Sequence, residues 1–319
     1  MLSLNAQLTA QGLSFERLVP ALDLAFAAPL DVPARHVHDI SVGGAHGTSL
    51  IMPAWNTDGY YGVKIINIFP QNGAAGLPGL HATYTLFDAR TGVPLAQLDG
   101  DILTAYRTAA AAALGARYLS RADSKTLVVL GTGRIAQLLP EAMRSVRPIE
   151  RVLVWNHRPE SAQRFVDTLK NAGWQAEVAP DLRDAVQVAD IVSCATLSET
   201  PLVKGEWLRP GTHLDLIGSF KPVMIESDAA CFERARGQVF VDTYEALKKS
   251  GDLLQAIEAG ALASDGIAGD LHALISGHSA GRRDDAAITI FKAVGNAIED
   301  LTAAQAVYEA SASKSRIPS

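Results

Sequence analysis

Between Thr126 and Trp155 the hydrophobic pattern changes period twice. Thr126 to Leu130 is a near-continuous run of β-branched and Leu residues, which suits a strand buried on both faces of a parallel sheet. Gly131-Thr132-Gly133-Arg134-Ile135-Ala136 follows at once as a G-x-G-x-x-A turn. Ile135, Leu138, Leu139, Ala142, Met143 and Val146 then recur on one helical face. Pro148 ends that helix, and Arg151 to Trp155 reads as the next buried strand. A strand, a glycine turn, a helix and a second strand make a dinucleotide-binding unit. Gly131 permits the sharp turn, Gly133 admits a pyrophosphate close to backbone, and Ala136 lets the helix lie close on the sheet.

The same pattern organises the rest of the chain. The first thirty residues read as short helices, followed by a His-bearing segment from Asp31 to Ser41. A turn at Gly43-Gly44 and Gly47 precedes strands at Thr48 to Trp55 and Tyr60 to Phe69. A Gly/Pro loop, a hairpin (His81 to Phe87, Val93 to Leu98) and a helix from Asp101 to about Ser120 come next. The alanines from Thr108 to Ala116 predict a tightly packed helix. After the polar linker Arg121 to Lys125, helical stretches alternate with strands at Gln175 to Ala179, Asp190 to Ala195 and His213 to Ile217, and the last strand is Gln238 to Val241. A stripe of Ile290, Val294, Ala297, Ile298 and Leu301 predicts one long helix from Asp285 to about Ala310, and the tail beyond it is polar.

The predicted fold class is α/β. A Rossmann doubly wound parallel sheet (121–287) is inserted in a second α+β domain made of 1–120 plus 288–319. Ligands of such a sheet lie at the carboxyl ends of its strands. The loops after Leu130, Trp155, Ala195 and Ile217 therefore supply the candidate cofactor contacts Gly131, Gly133, Arg134, Ile135, Ala136, Asn156, His157, Arg158, Ala195, Thr196 and Ser219. The second strand ends in Trp155-Asn156-His157-Arg158, without the acid that reads a ribose hydroxyl. Asn and Arg can donate to a 2′-phosphate, so the sequence favours NADP(H) over NAD(H).

Two cations stand out. Period-2 alternation puts Lys64 on one face with Ile66 and Ile68, where it needs a partner or a function; edge protection or snorkelling would also account for it. Arg107 lies among alanines of the predicted helix, either solvated or free to grip a planar anion bidentately.

Composition narrows the class. A net charge of −6 with no basic run argues against nucleic-acid or anionic-membrane binding. No apolar run is long enough to span a membrane. The two cysteines, Cys194 and Cys231, lack metal-ligand spacing, so no metal is expected and a reduced, cytoplasmic setting is the simplest reading.

In order along the chain, several segments resemble the ornithine cyclodeaminase/mu-crystallin family. They are Met52-Pro53-Ala54, Val63-Lys64, His81 through Gly100, Arg107-Thr108-Ala109-Ala110, Gly131-x-Gly133-x-x-Ala136, Trp155-Asn156-x-Arg158, Cys194-Ala195-Thr196, Gly218-Ser219-Phe220-x-Pro222, Val241-Asp242, Ser250-Gly251-Asp252 and Phe291 through Asp300. The resemblance implies homodimers of two-domain subunits acting on small α-amino or α-imino acids with a nicotinamide cofactor. It implies that Arg107 and Arg35 hold the substrate carboxylate, that Lys64 is the active-site lysine, and that Thr108 joins the phosphate contacts. The family's cyclodeaminases carry an aspartate where this chain has Phe220, and a phenyl ring cannot transfer protons. The sequence is thus more similar to the branch that reduces cyclic ketimines with NADPH, giving L-proline or L-pipecolate. The other readings are an ornithine cyclodeaminase using NAD, an alanine-type amino-acid dehydrogenase, and a non-catalytic NADP-binding protein.

Overall fold

Two sheets account for the architecture seen in a computed structural model, which describes residues 1–28 and 32–314. The start of the expected His-bearing segment, Asp31, and the tail beyond residue 314 lie outside the described residues. The chain divides into two units, Met1–Ala25 with Pro29–Arg107 and Asn296–Ser319, and Phe26–Ala28 with Thr108–Gly295. These boundaries differ from 120/121 and 287/288 because one falls inside a helix and the other follows an additional strand.

The first unit contains β1 (Leu2–Leu4), α1 (Ala6–Gln11), α2 (Phe15–Ala27, whose last turn belongs to the second unit), β2 (His36–Val42), β3 (Ala45–Trp55), β4 (Tyr60–Ile68), β5 (Leu80–Asp88) and β6 (Pro94–Asp99). Their order in the sheet is β1-β6-β5-β4-β3-β2. Only the β1–β6 pair is parallel. The short β1 was not expected from its three residues. Gly43 and Gly44, at φ 59° and 83°, form the β2–β3 turn, where positive φ at both central positions matches the twist of a two-residue hairpin. One face of this sheet is buried through Met52, Ala54, Tyr84, Leu86, Ala96 and Leu98.

The helix α3 (Gly100–Leu119) ends the first unit at Arg107 and continues into the second. From Ala109 to Ala113 it is completely buried, as the alanine run implied. A Cβ on Gly115 would fall 2.6 Å from the Phe291 ring, so small residues there allow close helix–sheet packing.

The second unit continues with β7 (Thr126–Leu130), α4 (Arg134–Arg144), β8 (Arg151–Trp155), α5 (Pro159–Asn171), β9 (Gln175–Val178), α6 (Leu182–Val188), β10 (Ile191–Cys194) and β11 (His213–Leu216). It closes with α7 (Ala229–Ala235), β12 (Val239–Val241), α8 (Ala246–Lys249), α9 (Gly251–Glu258), β13 (Gly269–Asp270), α10 (Leu271–Ile275) and β14 (Thr289–Lys292). The strand order is β13-β12-β14-β11-β10-β7-β8-β9, with every pair parallel. This is a doubly wound sheet whose order reverses between β7 and β10, the switch point at which such sheets bind ligands.

One expectation is corrected here. Residues 285–310 are not a single helix. Thr289–Lys292 is a completely buried central strand, and Gly295 at φ 84° separates it from α11 (Ala297–Lys314), which belongs to the first unit. The apolar stripe that suggested one helix joins a buried strand to a helix face by coincidence of spacing. Val241 is likewise not the end of the last strand, since β13 and β14 follow.

His213 is fully buried in β11, its Nδ1 2.9 Å from Thr289 Oγ1. Burial, with Arg282 and Arg147 nearby, pushes its pKa from 6.5 down to about 3. The folded state keeps the ring neutral, while the unfolded chain binds a proton below the ordinary value. Stability from this group is therefore present above about pH 6.5 and is lost as pH falls toward 3. Thermal unfolding between about pH 7.5 and pH 5 should show a steeper acid-side loss in wild type than in His213→Leu, by at most about one proton. Equal slopes would refute the assignment.

Candidate functional site

In the first unit the two singled-out cations meet at one carboxylate. β4 is an interior strand and Lys64 is 1% exposed, which removes both edge protection and snorkelling as explanations. Its Nζ lies 2.5 Å from Asp300 Oδ2 and 3.5 Å from Thr104 Oγ1. Arg107, 8% exposed, donates from Nε to Asp300 Oδ1 at 2.9 Å and from Nη1 to Glu299 Oε2 at 2.7 Å. Glu299 and Asp300 are completely buried in the first turn of α11. Strand β4, helix α3 and helix α11 thus bring together two cations and two carboxylates that lie 192 or more positions further along the sequence.

Burial lowers the Lys64 pKa to about 8, with Arg107 adding to the effect and Asp300 opposing it. The ammonium is protonated at neutral pH and within reach of losing its proton. Buried ion pairs are weak sources of stability, because stripping water from each charge costs several kcal/mol, to order of magnitude. A formally neutral quartet of this kind is better accounted for by chemistry at the site than by stability. It can hold a carboxylate on its guanidinium and ammonium and manage one proton at Lys64 Nζ.

Tyr84 pairs with Lys64 across β4 and β5 and is also buried, and burial followed by the charge of Asp300 pushes its phenol pKa well up. Arg35 is half-buried just before β2, two strands from Lys64's strand in the sheet order. Glu299 and Asp300 were part of the resembling segment, but their place beside the cations was not foreseen. Adjacent acids set between the apolar residues Ile298 and Leu301 were the available signal.

In the second unit the glycine turn has the form the motif implied. Gly131 has φ 107°, and a Cβ there would fall 2.6 Å from the Ala195 carbonyl oxygen. Gly133 has ordinary extended backbone, φ −72° and ψ 179°, with no heavy atom within 4 Å of the place its Cβ would occupy. Nothing within the unit requires glycine at Gly133. An open cradle before α4, which has no side-chain cap, fits a pyrophosphate approaching backbone. Arg134 and Ile135 open α4, and Ala136 is buried against the sheet.

Asn156 donates from Nδ2 to Thr132 Oγ1 at 3.1 Å and accepts from the Arg158 backbone N–H at 2.9 Å, which fixes the turn after β8. His157 and Arg158 are exposed there. Ala195 and Thr196 are half-buried after β10, and Thr108 is buried in α3. Ser219 is completely buried, its hydroxyl 3.2 Å from Ser250 Oγ and accepting from the Asp252 N–H at 3.4 Å. Its side chain is therefore turned inward, and any ligand contact it makes runs through backbone. Among the described residues, no group of three or more metal-ligating side chains occurs and no helix is long and apolar enough to cross a membrane.

A doubly wound sheet with an open glycine cradle, together with a unit carrying a buried Lys–Asp–Arg–Glu quartet, defines a two-unit dinucleotide-binding protein. The model of the ornithine cyclodeaminase/mu-crystallin family matches residues 30–315, and the chain belongs to that family. It is 39% identical over 272 residues to a Δ1-pyrroline-2-carboxylate reductase of Paracoccus denitrificans, covering 85% of each chain. Its fold matches the Thermococcus litoralis Δ1-pyrroline-2-carboxylate reductase solved with NADH and L-proline, with TM-score 0.89 and 32% identity, covering 99% of this chain and 98% of that one. An archaeal alanine dehydrogenase dimer with bound NAD also matches at TM-score 0.89, with 31% identity and coverage of 100% and 98%.

The two glycines separate fold from ligand. Gly133→Ala should leave the melting temperature unchanged and weaken dinucleotide binding about tenfold or more. Gly131→Ala should destabilise the protein itself, through positive φ and the Ala195 carbonyl. Fluorescence titration with reduced dinucleotide and thermal unfolding of both variants check this. Undiminished binding by Gly133→Ala would overturn the cradle assignment.

Proposed function

We propose that this protein reduces cyclic α-imino acids, the five- and six-membered ketimine carboxylates Δ1-pyrroline-2-carboxylate and Δ1-piperideine-2-carboxylate, to L-proline and L-pipecolate with NADPH. The observation that carries this reading is the buried quartet of Lys64, Asp300, Arg107 and Glu299. Arg107, with Arg35, grips the substrate carboxylate and fixes the ring's orientation. Lys64 supports that grip and keeps a proton at Nζ for the ring nitrogen, which must gain one as C=N becomes CH–NH. Asp300 holds Lys64 and Arg107 at a common point, and burial excludes water from their neighbourhood. The dinucleotide, when bound, supplies the hydride for the imine carbon. Thr108 and Gly131 to Ala136 hold its phosphates, and the loops carrying Ala195, Thr196 and Ser219 hold its far end. Asn156, His157 and Arg158 meet the 2′-phosphate, where no acid stands to repel it.

The named reductase relatives support this chemistry. Phe220, 41% exposed in the position of the cyclodeaminase aspartate, speaks against ammonia release from ornithine. The equally similar alanine dehydrogenase keeps a second reading, reductive amination of pyruvate, in play. The subunit would act as a homodimer. The outward face of the first unit's sheet is apolar through Ile51, Pro53, Val63 and Ile65, paired in register, and through Trp55 beside Tyr61, with Ile65 39% and Trp55 47% exposed. A second copy covering this face would bury it.

Oxidation of NADPH and NADH should be followed separately with both ketimines, with pyruvate plus ammonia, and with ornithine as control. Ketimine-dependent oxidation of NADPH is expected. Lys64→Ala and Arg107→Ala should each lower kcat/KM by roughly a hundredfold or more. Near-normal turnover in both variants would sink the assignment, and activity with pyruvate plus ammonia alone would favour the second reading.

The pH profile offers an independent check. If Lys64 must carry its proton, kcat/KM falls as pH rises through about 8. A profile flat from about pH 7 to pH 9.5 would exclude that proton from the step.

A further inference from the structure

Behind the candidate dinucleotide loops lies a second buried charge cluster, which the proposed reaction does not use. Glu226 is completely buried, and its carboxylate bridges two loops. Oε1 accepts from the Thr196 N–H and from Thr196 Oγ1, both at 2.7 Å, and Oε2 accepts from the Gly218 N–H at 2.7 Å. Thr196 follows β10 and Gly218 follows β11. The loops approach so closely that a Cβ on Gly218 would lie 1.9 Å from the Thr196 carbonyl oxygen. The Thr196 loop in turn abuts the glycine turn, because the Ala195 carbonyl is the atom that Gly131 clears. One carboxylate thus ties together the segments at the carboxyl ends of β10 and β11, and the first of these abuts the turn after β7.

Glu226 is itself fixed from behind. Its backbone N–H and those of Ser227 and the Ser227 hydroxyl all donate to Asp252 Oδ1, at 2.9, 2.9 and 3.0 Å. The other oxygen of Asp252 lies 3.8 Å from Nζ of Lys292, a completely buried lysine at the end of β14. Burial raises the Glu226 pKa, while the charge of Lys292 and the donors from Thr196 hold it down. A protonated carboxyl would replace one acceptor with a donor and could not serve all three groups.

We propose that Glu226 is a positioning residue for the dinucleotide, setting the geometry of the Thr196 and Gly218–Ser219 loops, with Asp252 and its partner Lys292 fixing it from behind. The inference rests on the reading that these loops touch the dinucleotide. A purely structural glutamate would affect stability alone. A positioning role also appears in cofactor affinity, because misplaced backbone groups meet a rigid ligand badly.

The test is Glu226→Gln, whose amide places a donor against either the Thr196 or the Gly218 N–H. Dissociation constants for reduced dinucleotide come from fluorescence titration, and KM for the ketimine is measured at saturating dinucleotide. We expect cofactor affinity to fall about tenfold or more, the scale of a mispaired buried donor, while the ketimine KM moves less than about twofold. If that variant does not fold, Glu226→Asp takes its place, keeping the charge but one methylene too short to reach both loops, with the same expectation. Unchanged cofactor affinity in the folded variant overturns the inference, even if the melting temperature drops. Failure of wild type to bind any dinucleotide overturns the reading of the loops, and the inference with it.

Discussion

The balance of buried charge in the first unit depends on Asp300. Its two oxygens face different cations, Lys64 from β4 and Arg107 from α3. Without that carboxylate, an ammonium and a guanidinium would be buried together and would repel one another across a medium that screens poorly. With it, and with Glu299 on the far side of Arg107, the charges balance formally and the strand and two helices share one fixed point. The same balance explains why the lysine stays protonated despite near-complete burial. Desolvation and Arg107 pull its pKa down, Asp300 pulls it up, and about 8 results. A carboxylate arriving on Arg107 would add a negative charge to a neutral set and so strengthen the hold of Lys64 on its proton.

How much of this was legible in the sequence follows from the distance over which each feature is encoded. The glycine turn is local. Its strand, its helix and the roles of Gly131 and Gly133 all lie between Thr126 and Arg144, and the structure separates the two glycines into one required by the chain and one that the chain alone does not require. Lys64 and Arg107 were visible as anomalies, charges in apolar surroundings, because burial leaves its mark on neighbouring residues. Their partners were not visible. Glu299 and Asp300 lie 192 and 193 positions from Arg107, and no periodicity connects residues at that range. The misread stretch from Asp285 has the same origin. Thr289–Lys292 is buried by strands that precede it in sequence by tens of residues, so its apolar residues had no local context to mark them as strand.

The two units use buried charge in the same way, although their folds differ. In each, carboxylates hold donors from segments that do not adjoin in sequence, and one buried lysine offsets them. Asp300 and Lys64 do this across a helix and a strand. Glu226, Asp252 and Lys292 do it across strand ends, and Asp242 adds a further instance, accepting the Val294 and Gly295 N–H groups at 2.8 and 2.6 Å where the chain leaves β14. Apolar packing alone could fill these interiors at lower cost in desolvation. It could not fix loop backbone to within a few tenths of an ångström, because dispersion contacts are non-directional and hydrogen bonds to an ionised carboxylate are short and oriented. Loops that must hold a rigid ligand are where directionality outweighs that cost. The same economy of directed bonds accounts for Ser219, singled out by its position in the sequence, whose hydroxyl is spent on Ser250 and Asp252 within the protein.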